Sequence, residues 1–246
     1  MNIYKACVVS PRHAEKNIPC QDFCAVMPTY DNYTIGALSD GAGSAKFADL
    51  ASFTTVNAFF NYMRKYTSRY SLDELLTLED KEIGEDVVMY CRRAIENLSV
   101  RIGFDTSDLR EFCATFLGFV ISDKEIVMLH LGDGEAYGLT KEGKIHCLSA
   151  ADNINGISTH THFTVDSDAV DFMKVSRFPK DDFKAVLIMS DGVKPVSENI
   201  EEHIASQVFT EWQTGKLTSD TCLCRLIDNE ETKKHNDDHS AVFVEF

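Results

Sequence analysis

Hydrophobic and polar positions along the chain change period several times. Near the N-terminus, YKACVVS, DFCAVMP and YTIGALSD are parted by the turn-forming runs PRHAEKN and TYDN, which predicts three strands. From Ala48 to about Tyr66 the pattern turns helical, with Leu50, Phe53, Phe60 and Met63 among its apolar positions. A second helix is predicted over 85–102, where Val87, Cys91, Ala94 and Ile95, Leu98 and Ile102 recur every three or four residues. Between the two, SLDELLTLEDKEIG reads as charged connecting sequence. Strands resume at CATFLGFVI (113–121) and EIVMLHL (125–131), with Ser-Asp-Lys as the turn. AYGLT and KIHCLSA then form a hairpin around Glu142-Gly143. The stretch 151–182 is polar and weakly periodic, and it predicts little regular structure. AVLIMSD reads as a short buried strand, and helices are expected at about 199–213 and 218–229. SAVFVEF closes the chain as a strand with one face in the core.

This order of elements is α+β. No Pro/Gly/Ser-rich linker or internal repeat divides it, so one domain is expected over 1–246. At 246 residues, 44% apolar and 26% charged, the chain can bury a proper core. Lys and Arg total 24 against 39 Asp and Glu, a net charge of −15. Such a surface repels nucleic acid and anionic membranes, and it tolerates divalent cations or basic segments of a partner. The N-terminus lacks a signal-peptide pattern, and no window approaches the roughly 18 apolar residues of a membrane span. Eight irregularly spaced cysteines without a secretion signal point to reduced thiols in a cytoplasm. The closest pair is Cys222 and Cys224, and a zinc site is not expected.

Acidic residues collect at the strand ends. Asp22 opens the second strand, Asp40 ends TIGALSD, Asp133 follows VMLHLG, Asp191 follows VLIMS, and Asp237-Asp238 precede SAVFVEF. Any one Asp-Gly turn is commonly structural. Brought to one rim as a set, the carboxylates repel one another until protons or cations relieve them. Hard oxygen ligands of this kind suit Mg²⁺ or Mn²⁺. Glycine after Asp40 and after Asp191 is expected to let the backbone carbonyl turn toward the same ion.

In this order, QD, SDGAGS, CATFLGFVI, LGDGEAY, MSDGV and NDDHSAVFV resemble the protein phosphatase 2C-like (PPM) family of metal-dependent serine/threonine phosphatases. HAEKNIPCQD resembles the opening of its short bacterial branch. The resemblance spans nearly the whole chain. It implies a two-sheet antiparallel β-sandwich flanked by helices on both outer faces, with two metal ions in a cleft at one end. Asp40 would bridge the ions and the Gly41 carbonyl would bind the second. Asp191 and Asp237 would complete the first site, and Asp22 would hold water in the second. Asp133 would form a third, weaker site with Asp191. A hydroxide between the two cations would attack phosphorus in line. Arg12 and His13 would be the groups that hold the phosphate, with His13 favoured.

Three positions depart from the family pattern. Ala42 stands where some members carry a presumed general-acid His, Gly134-Glu135 replaces Ser-Arg, and Asp238 replaces Asn, adding negative charge beside the metals. The expected partner is a phosphorylated protein, with a cognate serine/threonine kinase. The stretch 151–182 corresponds to the variable flap over the cleft, where NINGISTHTHFT would line the substrate groove. A silent PPM-fold binding or regulatory module is the alternative, but such a module commonly lacks the bridging Asp or a first-site partner. Other patterns fail on context. VDSDAV follows THFT rather than a buried strand, which argues against a haloacid dehalogenase-like nucleophile. SDGAGSAK lacks the Gly-Lys-Ser/Thr of a P-loop. His160 with His162, and His235 with His239, are too few or misplaced for a metal.

Overall fold

The computed structural model describes residues 1–30, 33–68, 71–152, 161–193, 203–234 and 236–246. Ten strands form two antiparallel five-stranded sheets. In chain order the strands are β1 (Ile3–Val8), β2 (Asp22–Tyr30), β3 (Tyr33–Asp40), β4 (Phe116–Ile121), β5 (Glu125–Leu131), β6 (Glu135–Thr140), β7 (Ile145–Ser149), β8 (Lys174–Pro179), β9 (Phe183–Met189) and β10 (His239–Glu245). One sheet runs β1-β10-β9-β6-β7 and the other β2-β3-β4-β5-β8. Seven α-helices join them: α1 (Pro11–Glu15), α2 (Ala48–Thr67), α3 (Leu72–Leu76), α4 (Asp80–Arg101), α5 (Ala169–Phe172), α6 (Ile204–Gln213) and α7 (Asp220–Ile227).

Three apolar layers hold this arrangement. Between the sheets, Leu38, Leu117, Phe119 and Met128 meet Val186, Ile188, Val242 and Val244. The outer face of the β2–β8 sheet packs Ile35, Phe116 and Leu129 against Phe59, Met63 and Val87 of α2 and α4. On the other outer face, Leu187, Ala241 and Phe243 meet Val208, Phe209 and Leu223 of α6 and α7. The α+β sandwich with helices on both faces is therefore the fold expected from sequence.

Four details differ from the sequence reading. The last strand is buried on both faces, because β10 lies between β1 and β9 and under two helices. The connector at 71–84 contains α3 and the first turn of α4. Ser71 and Glu74 form a reciprocal capping box, with Glu74 N–H donating to Ser71 Oγ at 3.2 Å and Ser71 N–H to Glu74 Oε2 at 2.9 Å. The polar stretch 151–182 supplies α5 and the edge strand β8, where Arg177 pairs with Asp80 at 2.7 Å and Glu125 at 3.3 Å. Finally, α6 begins at Ile204 after the N-cap His203; residues 199–202, also expected in it, lie with His160 and His235 outside the described residues.

Candidate active site

Antiparallel pairing of β2 with β3 sets Asp22 directly opposite Asp40 at the end of one sheet. From the other sheet, β9 runs into a 3₁₀ turn over Asp191–Val193, and Asp237 lies two residues before β10. Strand ends of both sheets thus meet. One carboxylate oxygen from each of Asp40, Asp191 and Asp237 lies within 4.8 Å of the others, the geometry of a shared cation. They open into a cleft of about 290 Å³ that Asp133 also lines. Its remaining wall comes from Ala42, Gly43, Ser44 and Thr115, with Thr161 and Phe163 supplied by the polar stretch. Asp22 sits underneath and is only 4% exposed.

The electrostatics are unfavourable without a counter-charge. Burial pushes the Asp22 carboxyl up to about 7; the nearby Ser240 and Ser190 hydroxyls pull the other way, and the charges of Asp237 and Asp238 raise it further. Burial also holds Asp40 well above the ordinary carboxylate range, helped by Asp22, Asp191 and Asp237. Asp237 is raised by burial and then by Asp191. Both Asp22 oxygens and Asp191 Oδ1 are buried without a hydrogen-bond partner among the described residues. Buried acceptors left open beside like charges fit divalent cations, which satisfy both deficits together.

Hydroxyl and backbone groups fix the frame. Asp40 N–H donates to Thr115 Oγ1 at 3.0 Å and Thr115 N–H returns a bond to the Asp40 carbonyl at 2.8 Å. Ser240 N–H donates to Ser190 Oγ and Ser190 N–H to the Ser240 carbonyl, both at 3.0 Å. Ser190 and Ser240 neighbour the acidic motifs in sequence, whereas Thr115 lies in CATFLGFVI, away from all of them.

The two Ser-Asp-Gly glycines are needed on steric grounds. Neither has a positive φ. A Cβ on Gly192 would lie 2.0 Å from the Asp238 carbonyl oxygen, and one on Gly41 would lie 2.4 Å from the Ala48 carbonyl oxygen and 2.8 Å from that of Gln21. Absence of a side chain lets neighbouring backbone close over the motif.

Asp238 does not face the cleft as a free charge. It is fully buried, and its oxygens accept Ser10 N–H and Gln21 N–H at 2.6 Å each. His13 Nδ1 lies 3.0 Å from both oxygens. The loop between β1 and β2 is therefore fastened to the residue beside Asp237. Arg12 is exposed on α1, and neither Arg12 nor His13 lines the cleft. Glu135 also points elsewhere, accepting from the Tyr137 hydroxyl at 2.8 Å with His203 Nε2 at 3.5 Å. His162 stacks on Phe172 with ring centroids 3.5 Å apart rather than facing solvent.

Comparison with known proteins gives a consistent picture. The family model described as protein phosphatase 2C matches residues 9–229. Serine/threonine-protein phosphatase 3 of Escherichia coli (strain K12) is 24% identical over 206 residues, covering 79% of this chain and 74% of the relative. Among solved structures, the S. agalactiae serine/threonine phosphatase superposes with a TM-score of 0.68 at 15% identity, covering 98% of both chains. The Mycobacterium tuberculosis serine/threonine phosphatase PstP/Ppp gives a TM-score of 0.64 at 13% identity, covering 100% of this chain and 98% of its own.

Proposed function

Because this chain belongs to the protein phosphatase 2C family, we propose that its carboxylate cleft hydrolyses phosphoserine and phosphothreonine on proteins with the help of Mn²⁺ or Mg²⁺. The protein is a phosphoprotein phosphatase, a hydrolase of phosphoric monoesters. Metal dependence is a property of its family, and the choice of ion is our reading of an all-oxygen donor set. The observation that carries the site assignment is the convergence of Asp40, Asp191 and Asp237, from separate segments, on one point.

In this reading Asp40, Asp191 and Asp237, with the Gly41 carbonyl, would hold the ions, and Asp22 and Asp133 would order water around them. When bound, the two cations supply positive charge for the phosphate oxygens and lower the pKa of water. The chain's own part is to hold these carboxylates rigidly from both sheets, so little reorganisation accompanies charge development on the phosphoryl group. His13, fixed to Asp238 beside Asp237, anchors the short helix that carries Arg12; contact of either with the phosphate would require that helix to move toward the cleft. Thr161 and Phe163 supply the wall against which the substrate's peptide rests. Ala42 brings no acid group to the cleft, so the leaving oxygen takes its proton from water.

The proposal extends to a single domain over 1–246, a cytoplasmic setting and a kinase that supplies the substrate. No helix among the described residues is long and apolar enough to cross a membrane. The test is hydrolysis of para-nitrophenyl phosphate with Mn²⁺, with chelator, and with Asp40→Asn. Turnover that needs Mn²⁺ and is lost in the variant is expected. Activity that survives either chelator or the substitution refutes the mechanism. Turnover on phosphoserine and phosphothreonine peptides then checks the substrate class.

A further inference from the structure

Cys7 and Cys24 lie on different sheets, yet their sulfurs are 3.2 Å apart. Cys7, on the edge strand β1, is exposed, while Cys24, on β2, is buried in the layer between the sheets. The Cys7 thiol donates to Cys24 Sγ, and Cys24 is anchored to the Ala6 carbonyl at 3.3 Å. Alternation along β2 puts Cys24 on the same face as Asp22, two residues away. Within its own sheet, Cys7 pairs with Ser240 on the neighbouring strand, and the Ser240 hydroxyl lies near Asp22. The sulfur pair therefore sits beside the buried carboxylate of the cleft.

We propose that Cys7 and Cys24 form a site of reversible oxidation, in which a peroxide joins the two sheets through a disulfide and thereby lowers phosphatase turnover. The functional half of this inference rests on the phosphatase reading; the chemical half does not. In the first step the Cys7 sulfur attacks a peroxide oxygen. The O–O bond breaks, one water (or alcohol) leaves, and Cys7 becomes a sulfenic acid. The Cys24 sulfur then attacks that sulfur, its proton leaves with the hydroxyl as water, and the S–S bond forms. Two thiols give up two electrons and the peroxide takes them. A dithiol reverses the bond by exchange.

Two consequences follow from the geometry. Closing the pair to a bond of about 2.05 Å draws β1 and β2 together by roughly 1 Å. A misplacement of that size costs up to about a hundredfold in rate when it reaches a catalytic constellation, and a tenfold loss is expected two residues from Asp22. The hydrogen bond to Cys24 pushes the Cys7 thiol up, so the first step is slow at neutral pH and quickens in alkali. In a reducing compartment the bond is transient rather than structural.

The experiment treats the reduced full chain with hydrogen peroxide at pH 8, blocks free thiols, digests without reduction and maps linked peptides by mass spectrometry. A Cys7–Cys24 peptide is expected, with two of the eight thiols lost. Mn²⁺-supported hydrolysis should fall about tenfold and return with dithiothreitol. The surface variant Cys7→Ser should keep its turnover through the same treatment. Linkage of Cys7 to Cys20 or Cys224, or oxidation without linkage, overturns the proposal. So does a Cys7–Cys24 bond that leaves turnover unchanged. If the reduced protein shows no turnover, the phosphatase reading fails, and the peptide map still decides whether the bond forms.

Discussion

Replacing Asp238 by Ala removes the acceptor of three donors in one step. The carboxylate is 0% exposed and takes Ser10 N–H, Gln21 N–H and the His13 ring nitrogen. A buried donor left without a partner costs about 1–3 kcal/mol, and water entering the vacated space returns part of that. Three such donors, partly rehydrated, put the expected loss at about 3–5 kcal/mol. In a chain of this size about 1 kcal/mol moves the melting temperature by roughly 2–4 °C, so a fall of about 10 °C is expected. Thermal and urea unfolding in chelator measures it without any contribution from lost metal binding. His13→Ala leaves both backbone bonds to Asp238 intact and should cost about 1–2 kcal/mol. The two changes share one network, so the double variant should be little worse than Asp238→Ala alone. A loss below about 1 kcal/mol for Asp238→Ala, or strictly additive losses, refutes the view that this carboxylate fastens the first loop.

Three further outcomes are expected. Asp22 is raised to about 7 and Asp40 and Asp237 are raised too, so the folded metal-free chain holds these protons more tightly than the unfolded chain. That stabilisation is full below about pH 4 and is lost as pH rises through about 7. Calorimetry in chelator should therefore give a lower melting temperature at pH 8 than at pH 5, and the reverse order refutes the cluster's electrostatics. Adding Mn²⁺ at pH 8 should restore several degrees, because a ligand of the folded state at 100 times its Kd contributes about 2.7 kcal/mol. Gly192→Ala should lower the urea midpoint by an amount equivalent to about 1–3 kcal/mol, since its Cβ meets the Asp238 carbonyl oxygen at 2.0 Å; an unchanged midpoint argues that the loop yields freely.

Much of the fold was legible because period and burial agree in most elements. β5 has the bounds read from EIVMLHL, and α2 ends within a residue of the predicted limit. The alternation seen in SAVFVEF concealed its setting. Ala241 and Phe243 face the helices while Val242 and Val244 face the other sheet, and sequence does not say which faces acquire a cover. β8 was hidden because an edge strand carries polar residues that guard it, here Lys174, Ser176 and Arg177. The capping signature Ser71-Leu-Asp-Glu74 was present in the letters, but charge density outweighed it in the reading. At the site, two acid–glycine motifs at strand ends and the Asp-Asp pair before the last strand gave the three converging carboxylates. The binding of Asp238 to Ser10, Gln21 and His13 was not readable, because it joins residues more than two hundred positions apart through backbone donors that every sequence possesses.

The meeting of Asp40 and Asp191 from opposite sheets also bears on when the proposed cation site can form. Each sheet end alone offers an incomplete set of ligands, and 151 residues separate the two aspartates. Unlike a zinc finger, whose ligands gather around the ion as the chain folds, this pair is assembled only after the sandwich has closed. Ions arriving that late leave the speed of folding almost untouched and act on the return journey, slowing the opening of the sheets. A pulse of chelator should then shorten the lifetime of the folded chain while refolding proceeds at its former pace.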